Sequence, residues 1–283
     1  MTIPLKEKKH FCLIGSPLGH SVSPLIHKEL HRCAGIVGDY TLEEIKPEEL
    51  ESAVKNKLLS RDGFNVTIPH KSSIIPFLDS LSSRAELFGA VNTVEVKDGK
   101  LYGHNTDCTG FLRSIESENI SVEGEVLILG CGGVSRMFAY ECAMAGADIT
   151  LAVRKQSFEK AGALQDEIYR KTYRRAKLIK IEEAVGEYSL IINGTPVGMF
   201  PNTDACPVSR ETVERSGAVF DAVYNPLDTK LIQYARESKV KNANGLAMLV
   251  WQAAAAEEIW NGVEFKKEDI DKIIKTAGER LGK

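Results

Sequence analysis

The chain has 283 residues, of which 43% are hydrophobic and 27% are charged, a composition typical of globular proteins and not of disordered or fibrous ones. Its formal net charge is −3, so it lacks the basic field that would attract nucleic acid. No apolar run approaches the roughly 20 residues that cross a bilayer, and residues 1–10 are polar with no signal-peptide core behind them. We therefore expect two domains, small-molecule partners, no membrane partner and a cytoplasmic protein that is a monomer or homodimer.

Short apolar runs alternate with helical patterns through the first hundred residues. The patterns predict a strand at 11–14, a helix over 23–34 and a strand at 63–68. Residues 90–96 and 100–102 predict a hairpin across Asp98-Gly99, because both turn residues must tolerate positive φ. This first sheet is expected to be mixed, since the hairpin adds antiparallel strands to an α/β alternation.

A second series of elements follows a predicted helix at 109–118 and a polar break. Its strands are short and apolar, with helical patterns between them, and are predicted at 126–129, 149–153, 190–193 and 219–223. Such successive βα units are typical of a doubly wound parallel sheet. Two helices close the chain, at 248–260 and 268–281. Each has an apolar face that needs a sheet to lie on, so they are expected to return to the first domain.

A glycine-rich turn stands where the strand at 126–129 meets a helix. Such a turn lets the backbone approach a dinucleotide pyrophosphate, and the helix N-terminus offers free N–H groups and a positive dipole end. The residues expected to bind the cofactor here are Gly130, Cys131, Gly132, Gly133 and Val134. The third small position of the motif is Ser135 rather than glycine or alanine. A glycine-rich turn without a ligand is the alternative.

Arg154 and Lys155 follow the next strand, where an NAD enzyme usually carries an acid for the ribose 2′-hydroxyl. Two cations at this position would pair with a 2′-phosphate, Arg154 by a bidentate or stacked contact and Lys155 as a point charge. NADP is therefore favoured over NAD. The alternative is that the basic pair is only a solvated turn.

Five short polar side chains suit a ring that carries several hydroxyls and a carboxylate. These candidates are Ser21, Ser23, Thr67, Asn92 and Gln252. A site of this kind discriminates, because a substrate lacking one hydroxyl leaves a buried group unpaired at a cost on the order of 1 to 3 kcal/mol. The two serines could instead cap the helix near Pro24, and for Ser23 alone capping is the favoured interpretation.

Five segments, in order along the chain, resemble the shikimate dehydrogenase family: 15–24 (GSPLGHSVSP), 65–71 (NVTIPHK), 89–93 (GAVNT), 105–107 (NTD) and 244–252 (NGLAMLVWQ). The resemblance covers nearly the whole chain. It implies the reversible reduction of 3-dehydroshikimate to shikimate with NADPH, a step of chorismate and aromatic amino acid biosynthesis. The alternatives are a quinate or dual quinate/shikimate dehydrogenase, which could use NAD, and a non-catalytic ligand-binding protein on the same fold.

The resemblance also implies roles for single residues. Lys71 would give a proton to the substrate carbonyl oxygen during reduction and take it back during oxidation, while Asp107 holds the lysine and the substrate hydroxyl. Without the resemblance, a surface lysine and a helix-capping aspartate would be the favoured interpretations. By the same resemblance the substrate is contacted by Ser21, Ser23 and Tyr224, and the cofactor by Thr195, Ala222 and Gly245.

Two features depart from the family pattern, and the histidines and cysteines raise the separate question of metal or disulfide chemistry. The segment 193–199 has glycine where the family commonly has alanine or threonine, and Val153 replaces a family asparagine. His27 and His31 have the i, i+4 spacing of two metal ligands on a helix, but no third ligand is evident, so no metal is predicted. The six cysteines form no C-x-x-C pair and are expected to be reduced thiols.

Together these patterns predict an α/β protein of two domains with a cleft between them. A mixed-sheet substrate domain is expected over 1–106, completed by the C-terminal helices of 245–283. A Rossmann-type, doubly wound NADP-binding domain is expected over 107–244. Closure of the cleft would exclude water during hydride transfer.

Overall fold

The computed structural model of the chain describes residues 8–19 and 21–281. It is an α/β protein, as predicted, and its Cα atoms group into two compact units. Unit 1 contains the described residues up to Gly110 together with Val250–Ala277, and unit 2 contains Phe111–Leu249 together with the described residues from Gly278 onward. Over the described ranges, no helix combines the length and the apolar character needed to span a membrane.

Unit 1 is built on a six-stranded sheet. Its strands are β1 (Lys9–Gly15), β2 (Gly38–Glu44), β3 (Gly63–Val66), β4 (Ser80–Leu81), β5 (Thr93–Lys97) and β6 (Lys100–His104), in the spatial order β2-β1-β3-β5-β6-β4. β1 runs parallel to both neighbours, whereas β5 runs antiparallel to β3 and β6. The prediction of a mixed first sheet is therefore confirmed. Its helices are α1 (Ser23–Ala34), α2 (Leu50–Asn56), α3 (His70–Ser73), α4 (Ser83–Phe88) and the start of α5 (Asp107–Glu116).

β5 and β6 form the predicted hairpin. Asp98 and Gly99 join them with φ of 53° and 72°, the two positive values that a two-residue type I′ turn requires. The turn fixes the register of the two strands, which pairs Thr93 with His104. This register brings the segments that flank the hairpin, 89–92 and 105–107, side by side.

A C-terminal helix, α10 (Gly245–Asn261), supplies a tryptophan to the core of unit 1. The Trp260 ring stacks on Phe11 of β1 with ring centroids 4.8 Å apart, and its Nε1 donates a hydrogen bond to the Val94 carbonyl oxygen at 2.9 Å. A Cβ atom at Gly63 of β3 would lie 2.3 Å from that ring nitrogen, so the missing side chain makes room for the indole. The last helix, α11 (Lys267–Leu281), buries Ile270, Ile273 and Ala277.

Unit 2 is built on a six-stranded parallel sheet. Its strands are β7 (Glu125–Leu129), β8 (Asp148–Val153), β9 (Lys177–Lys180), β10 (Leu190–Asn193), β11 (Ala218–Asp221) and β12 (Lys241–Asn244), in the spatial order β12-β11-β10-β7-β8-β9. Its helices include α6 (Gly133–Met144), α7 (Phe158–Thr172), α8 (Arg210–Glu214) and α9 (Lys230–Glu237). The chain adds strands in one direction from β7 and then in the other from β10. The predicted doubly wound sheet is thus confirmed, with its switch point between β7 and β10.

Four strands were not predicted from the sequence: β2, β4, β9 and β12. Each lies at the edge of its sheet. An edge strand faces solvent along one side, so polar residues interrupt the apolar run by which a central strand is recognised. β12, for example, consists of Lys241, Asn242, Ala243 and Asn244.

Candidate active site

Lys71 and Asp107, the expected catalytic pair, lie in contact in unit 1. Lys71 belongs to the short helix α3, and Asp107 is the first residue of α5. Lys71 Nζ donates a hydrogen bond to Asp107 Oδ2 at 2.6 Å. The side chains are 33% and 22% exposed, respectively. Solvent therefore reaches both side chains.

Asn92 holds the second oxygen of Asp107. Its Nδ2 donates to Asp107 Oδ1 at 2.9 Å and to Gln252 Oε1 at 3.3 Å, and its Oδ1 accepts from the Thr106 N–H at 2.6 Å. Asn92 is 3% exposed and Gln252 is 9% exposed. The fold thus connects Asn92, Asp107 and Gln252 with Lys71 in one polar network.

Ser21 and Ser23 contact each other at the start of α1. Ser21 Oγ donates to Ser23 Oγ at 3.1 Å and accepts from the Ser23 N–H at 3.3 Å. The interpretation of Ser23 as a helix cap is wrong, because α1 begins at Ser23 itself and its N-cap residue is Val22, with no side-chain cap bond. Thr67 follows β3, half-buried, and its N–H donates to the Ile14 carbonyl oxygen at 2.9 Å.

A layer of buried polar groups supports the network, and the sequence analysis did not single it out. Asn65 Nδ2 donates to the Asn92 carbonyl oxygen and to Thr93 Oγ1, both at 3.0 Å. The Tyr40 hydroxyl donates to Asn65 Oδ1 at 2.7 Å. Burial raises the pKa of Tyr40 well above its usual value, so this hydroxyl keeps its proton. A polar residue within a buried strand, as Asn65 is in β3, was the available signal.

The glycine-rich turn lies at the carboxyl end of β7, beside the switch point of the unit 2 sheet. Gly130 has a φ of +96°, and a Cβ there would meet Thr195 Cγ2 at 2.8 Å. Cβ atoms built at Gly132 and Gly133 would meet no described atom within 4 Å, so the first turn of α6 is open. The turn therefore fits a pyrophosphate, which requires close backbone approach and free N–H groups.

Arg154 and Lys155 are exposed and stand directly after β8, the strand next to β7. Cys131 of the glycine-rich turn places its Sγ 3.9 Å from the carbonyl oxygen of Ser157 in the turn that the basic pair begins. The two turns therefore contact each other. Exposed cations in a turn that contacts the glycine-rich turn suit a second phosphate group.

Gly245 and the turn after β11 pack closely within unit 2. A Cβ at Gly245 would lie 2.2 Å from the Ala222 carbonyl oxygen, and the Gly245 N–H donates to the Val223 carbonyl oxygen at 3.3 Å. This contact requires glycine whether or not a cofactor is present. Tyr224, in the same turn, is 42% exposed.

His27 and His31 meet a third polar group that the sequence analysis did not find, Glu257 of α10. Glu257 Oε1 lies 2.5 Å from His27 Nδ1 and 2.9 Å from His31 Nε2, and all three side chains are buried. These distances are shorter than the about 3.3 Å between neighbouring ligand atoms of tetrahedral zinc. Burial lowers the pKa of His27. Burial raises that of Glu257, but the hydrogen bonds from both histidines outweigh it and lower the pKa overall. The cluster is a carboxylate that accepts hydrogen bonds from two imidazoles.

Comparisons with known proteins agree with this geometry. Two family models match, the shikimate dehydrogenase substrate binding domain at residues 13–94 and the shikimate 5′-dehydrogenase C-terminal domain at residues 245–275. A shikimate dehydrogenase (NADP(+)) of Caldanaerobacter subterraneus subsp. tengcongensis is 40% identical over 271 residues, which are 94% of this chain and 96% of the relative. The chain belongs to the shikimate dehydrogenase family.

Two solved members of the shikimate dehydrogenase family have a similar structure. One, crystallised in complex with NADP+, is 38% identical with a TM-score of 0.87 over 95% of each chain. The other, from Thermus thermophilus in complex with NADP(H) and shikimate, is 32% identical with a TM-score of 0.84, over 95% of this chain and 99% of that one.

Ser135, which departs from the glycine-rich motif, contacts Gly194, in the segment that departs from the family pattern. Ser135 of α6 is fully buried, and its Oγ donates to the Gly194 carbonyl oxygen at 3.2 Å. A Cβ at Gly194 would lie 2.2 Å from that Oγ. The serine side chain therefore fills the space that an alanine or threonine at 194 would need.

Proposed function

We propose that this chain is a shikimate dehydrogenase that reduces 3-dehydroshikimate reversibly to shikimate with NADPH, a step of chorismate biosynthesis. The proposal rests on the Lys71–Asp107 pair at 2.6 Å, held by Asn92, in a chain of this family. Interconversion of a ketone and a secondary alcohol needs a group that exchanges a proton with the reacting oxygen. A partly exposed ammonium paired with a carboxylate supplies such a group.

Lys71 acts as the proton donor in reduction and as the acceptor in oxidation. Asp107 accepts the hydrogen bond from Nζ and so orients the ammonium toward the substrate oxygen. Asn92 occupies the other carboxylate oxygen, which holds Asp107 in one rotamer.

The remaining polar residues orient the substrate. The hydroxyls of Ser21 and Ser23 donate to its carboxylate, and its ring hydroxyls are recognised by Thr67, Asn92, Gln252 and Tyr224. A site made of such groups rejects analogues that lack a hydroxyl, because the buried partner loses its hydrogen bond.

The nicotinamide of bound NADP supplies or takes the hydride. The backbone of residues 130–134 holds the pyrophosphate, Arg154 and Lys155 pair with the 2′-phosphate, and the cofactor is also lined by Thr195, Ala222 and Gly245. We assign NADP to a domain over 107–244 and the substrate to 1–106 with 245–283. We also propose that the protein is cytoplasmic and that it is a monomer or a homodimer.

The test is the rate of nicotinamide reduction by the purified protein with four pairings, shikimate or quinate with NADP or NAD. Turnover with shikimate and NADP, well above the other three pairings, is expected. Preference for quinate or for NAD would move the assignment to the related activity. Absence of turnover with all four pairings would favour the alternative of a non-catalytic ligand-binding protein.

Replacing the proton donor tests the assigned role. Lys71→Ala is expected to lower kcat by about 10²–10⁴-fold, while shikimate and NADP still bind in a calorimeter. The matched control is Lys100→Ala, an exposed lysine of the β5–β6 hairpin, which should keep the wild-type rate. A Lys71→Ala enzyme as fast as wild type would remove Lys71 from the reaction.

A further inference from the structure

A buried carboxylate lies beneath the candidate cofactor site, and the reaction does not use it. Asp221 ends β11 and is fully buried. Its Oδ1 accepts hydrogen bonds from Asn193 Nδ2 at 2.9 Å and from the Val223 N–H at 3.0 Å. Its Oδ2 accepts from Thr229 Oγ1 at 2.6 Å. An ionised carboxylate satisfies three donors in this way, whereas a buried carboxylate without them would be costly.

The first of these bonds leads to Thr195. Asn193, whose Nδ2 is held by Asp221, accepts on its Oδ1 from the Thr195 N–H at 3.0 Å and from Thr195 Oγ1 at 2.6 Å. Thr195 Oγ1 in turn accepts from the Val197 N–H at 3.2 Å. The Thr195 side chain is the one that packs against Gly130 of the glycine-rich turn. The Asn193 amide, whose Nδ2 also donates to the Val197 carbonyl oxygen at 3.3 Å, therefore connects Asp221 with the turn after β10.

The second bond leads to Ala222. The Val223 N–H donates to Asp221 Oδ1, and this bond holds the turn after β11 at the residue that follows Ala222. The N–H of Ala222 itself donates to the Asn193 carbonyl oxygen at 2.9 Å. The Ala222 carbonyl oxygen is the atom against which Gly245 packs. Three residues assigned to the cofactor, Thr195, Ala222 and Gly245, are thus arranged around a single carboxylate.

We propose that Asp221 is the positioning residue of the cofactor site, whose negative charge holds the turns after β10 and β11 in the conformation that binds NADP. This inference rests on the proposed function for the identity of the ligand. Protonation of Asp221 would turn Oδ2 into a donor toward Thr229 Oγ1, which already accepts from the Ile232 N–H at 3.3 Å. The carboxyl would then hold its remaining donors less strongly, since hydrogen bonds to a charged acceptor are the stronger ones.

The charge on Asp221 can change within the range of ordinary buffers. Burial raises the pKa of Asp221 to about 6, against the opposing effect of hydrogen bonds from Thr229, Val223 and Asn193. Its neighbours across the sheet are Asn193 and Asn244, which do not titrate. Among the described residues, Cys206 is a titratable group that feels the charge of Asp221. Burial raises the pKa of the Cys206 thiol, so the thiol stays neutral while Asp221 titrates.

The experiment measures the Kd of NADP by calorimetry at pH 8 and pH 5 for wild type and Asp221→Asn. The asparagine imitates the neutral acid, because its Oδ1 accepts both N–H groups and its Nδ2 faces Thr229. At pH 8 the variant is expected to bind NADP at least about tenfold more weakly than wild type. At pH 5 the two values should converge. The 2′-phosphate of NADP also titrates near pH 6. The quantity to compare is therefore the ratio of the Kd of the variant to the Kd of wild type at each pH.

Two readouts separate positioning from a merely structural role. At pH 8 the melting temperature of Asp221→Asn should equal or exceed that of wild type, because a raised folded pKa means that the ionised form destabilises the fold. The ¹³C-detected pKa of Asp221 in wild type should fall when NADP binds, by linkage, and this measurement needs no variant. The matched control is Asp228→Asn, an exposed aspartate that pairs with Arg236 at 2.6 Å, and it should bind NADP as wild type does.

The outcomes distinguish this inference from the proposed function. Equal NADP affinity of variant and wild type at pH 8, with normal shikimate turnover, would overturn the role of Asp221 and leave the function standing. A pKa of Asp221 that does not move when NADP binds would overturn it as well. Absence of turnover with any substrate pairing, together with a tenfold loss of NADP binding in the variant, would overturn the function and support Asp221.

Discussion

At the scale of single residues, a departure from the glycine-rich motif and a departure from the family pattern compensate each other. Ser135 brings a hydroxyl to the helix side of the glycine-rich turn, and Gly194 leaves out the methyl group that would collide with it. A serine at 135 excludes a side chain at 194 and the reverse also holds, because a Cβ at residue 194 would lie only 2.2 Å from Ser135 Oγ. The pair is therefore a single packing unit built from two turns of unit 2.

A double-mutant cycle tests this packing. Gly194→Ala is expected to lower the free energy of unfolding by about 1–3 kcal/mol, since the new methyl group meets Ser135 Oγ. Adding Ser135→Ala should recover much of that loss, with a coupling energy of about 0.5–3 kcal/mol between the sites. Urea unfolding of wild type, both single variants and the double variant measures the coupling. Additive effects would contradict the contact.

At the scale of elements, α1 and α10 are joined by the buried cluster of His27, His31 and Glu257. Glu257 Oε1 accepts from His27 at 2.5 Å and from His31 at 2.9 Å. The other carboxylate oxygen, Oε2, accepts from Asn261 Nδ2 at 2.7 Å. His27 also stacks on Tyr40 of β2, with ring centroids 3.8 Å apart. The histidine pair therefore links α1 to α10 through hydrogen bonds, and His27 also packs against the sheet.

Removing the charge of Glu257 should weaken that link. Glu257→Gln places an NH₂ group against the Asn261 NH₂ group or against an imidazole, so one buried donor loses its acceptor. A loss of about 2 kcal/mol in the free energy of unfolding is expected. The exposed Glu264→Gln serves as control, and both are followed by urea unfolding with tryptophan fluorescence. If Glu257→Gln is no less stable than Glu264→Gln, the cluster does not hold α1 to α10.

At the scale of the whole molecule, the two units carry buried groups whose protonation affects stability in opposite directions. In unit 1 burial lowers the pKa of His27, so the unfolded chain takes up a proton that the folded unit resists, and stability falls as the pH drops below the usual histidine value of about 6.5. In unit 2 burial raises the pKa of Asp221 to about 6. Its contribution is fully present below the unfolded value of 3.8 and is lost as the pH rises through 6.

Thermal unfolding at pH 7 and pH 5 should separate these effects. Both tryptophans, Trp251 and Trp260, belong to unit 1, so their fluorescence reports that unit, while far-UV circular dichroism follows the helices of both. The fluorescence midpoint is expected to fall by several degrees at pH 5, from a loss of up to about 2 kcal/mol at His27. The part of the dichroism transition that comes from the helices of unit 2 should not move to a lower temperature at pH 5. Midpoints that fall together by both probes would contradict opposite signs in the two units.

The sequence by itself determined the features that depend on neighbours along the chain. Asp98-Gly99 is a type I′ turn in any context that pairs the strands around it, because its backbone preference is local. The central strands β7, β10 and β11 carry uninterrupted apolar runs, which reflects burial on both faces. Lys71, Asp107 and the glycine-rich turn were found because each belongs to a short, continuous motif, and their roles here are still the proposals made from it.

Only the tertiary structure decided which distant residues meet. Glu257 lies 230 residues from His27, Gln252 lies 160 residues from Asn92, and nothing in a local window of sequence indicates either contact. The edge strands were missed for a related reason, since a strand with one free edge needs no continuous apolar pattern and is defined by its partner. The sequence placed Asp221 within a predicted strand at 219–223 and indicated no partners, whereas the fold places three hydrogen-bond donors around it. Local sequence determines turns and short motifs, whereas burial and hydrogen-bond partners are determined when segments that are distant in sequence pack together.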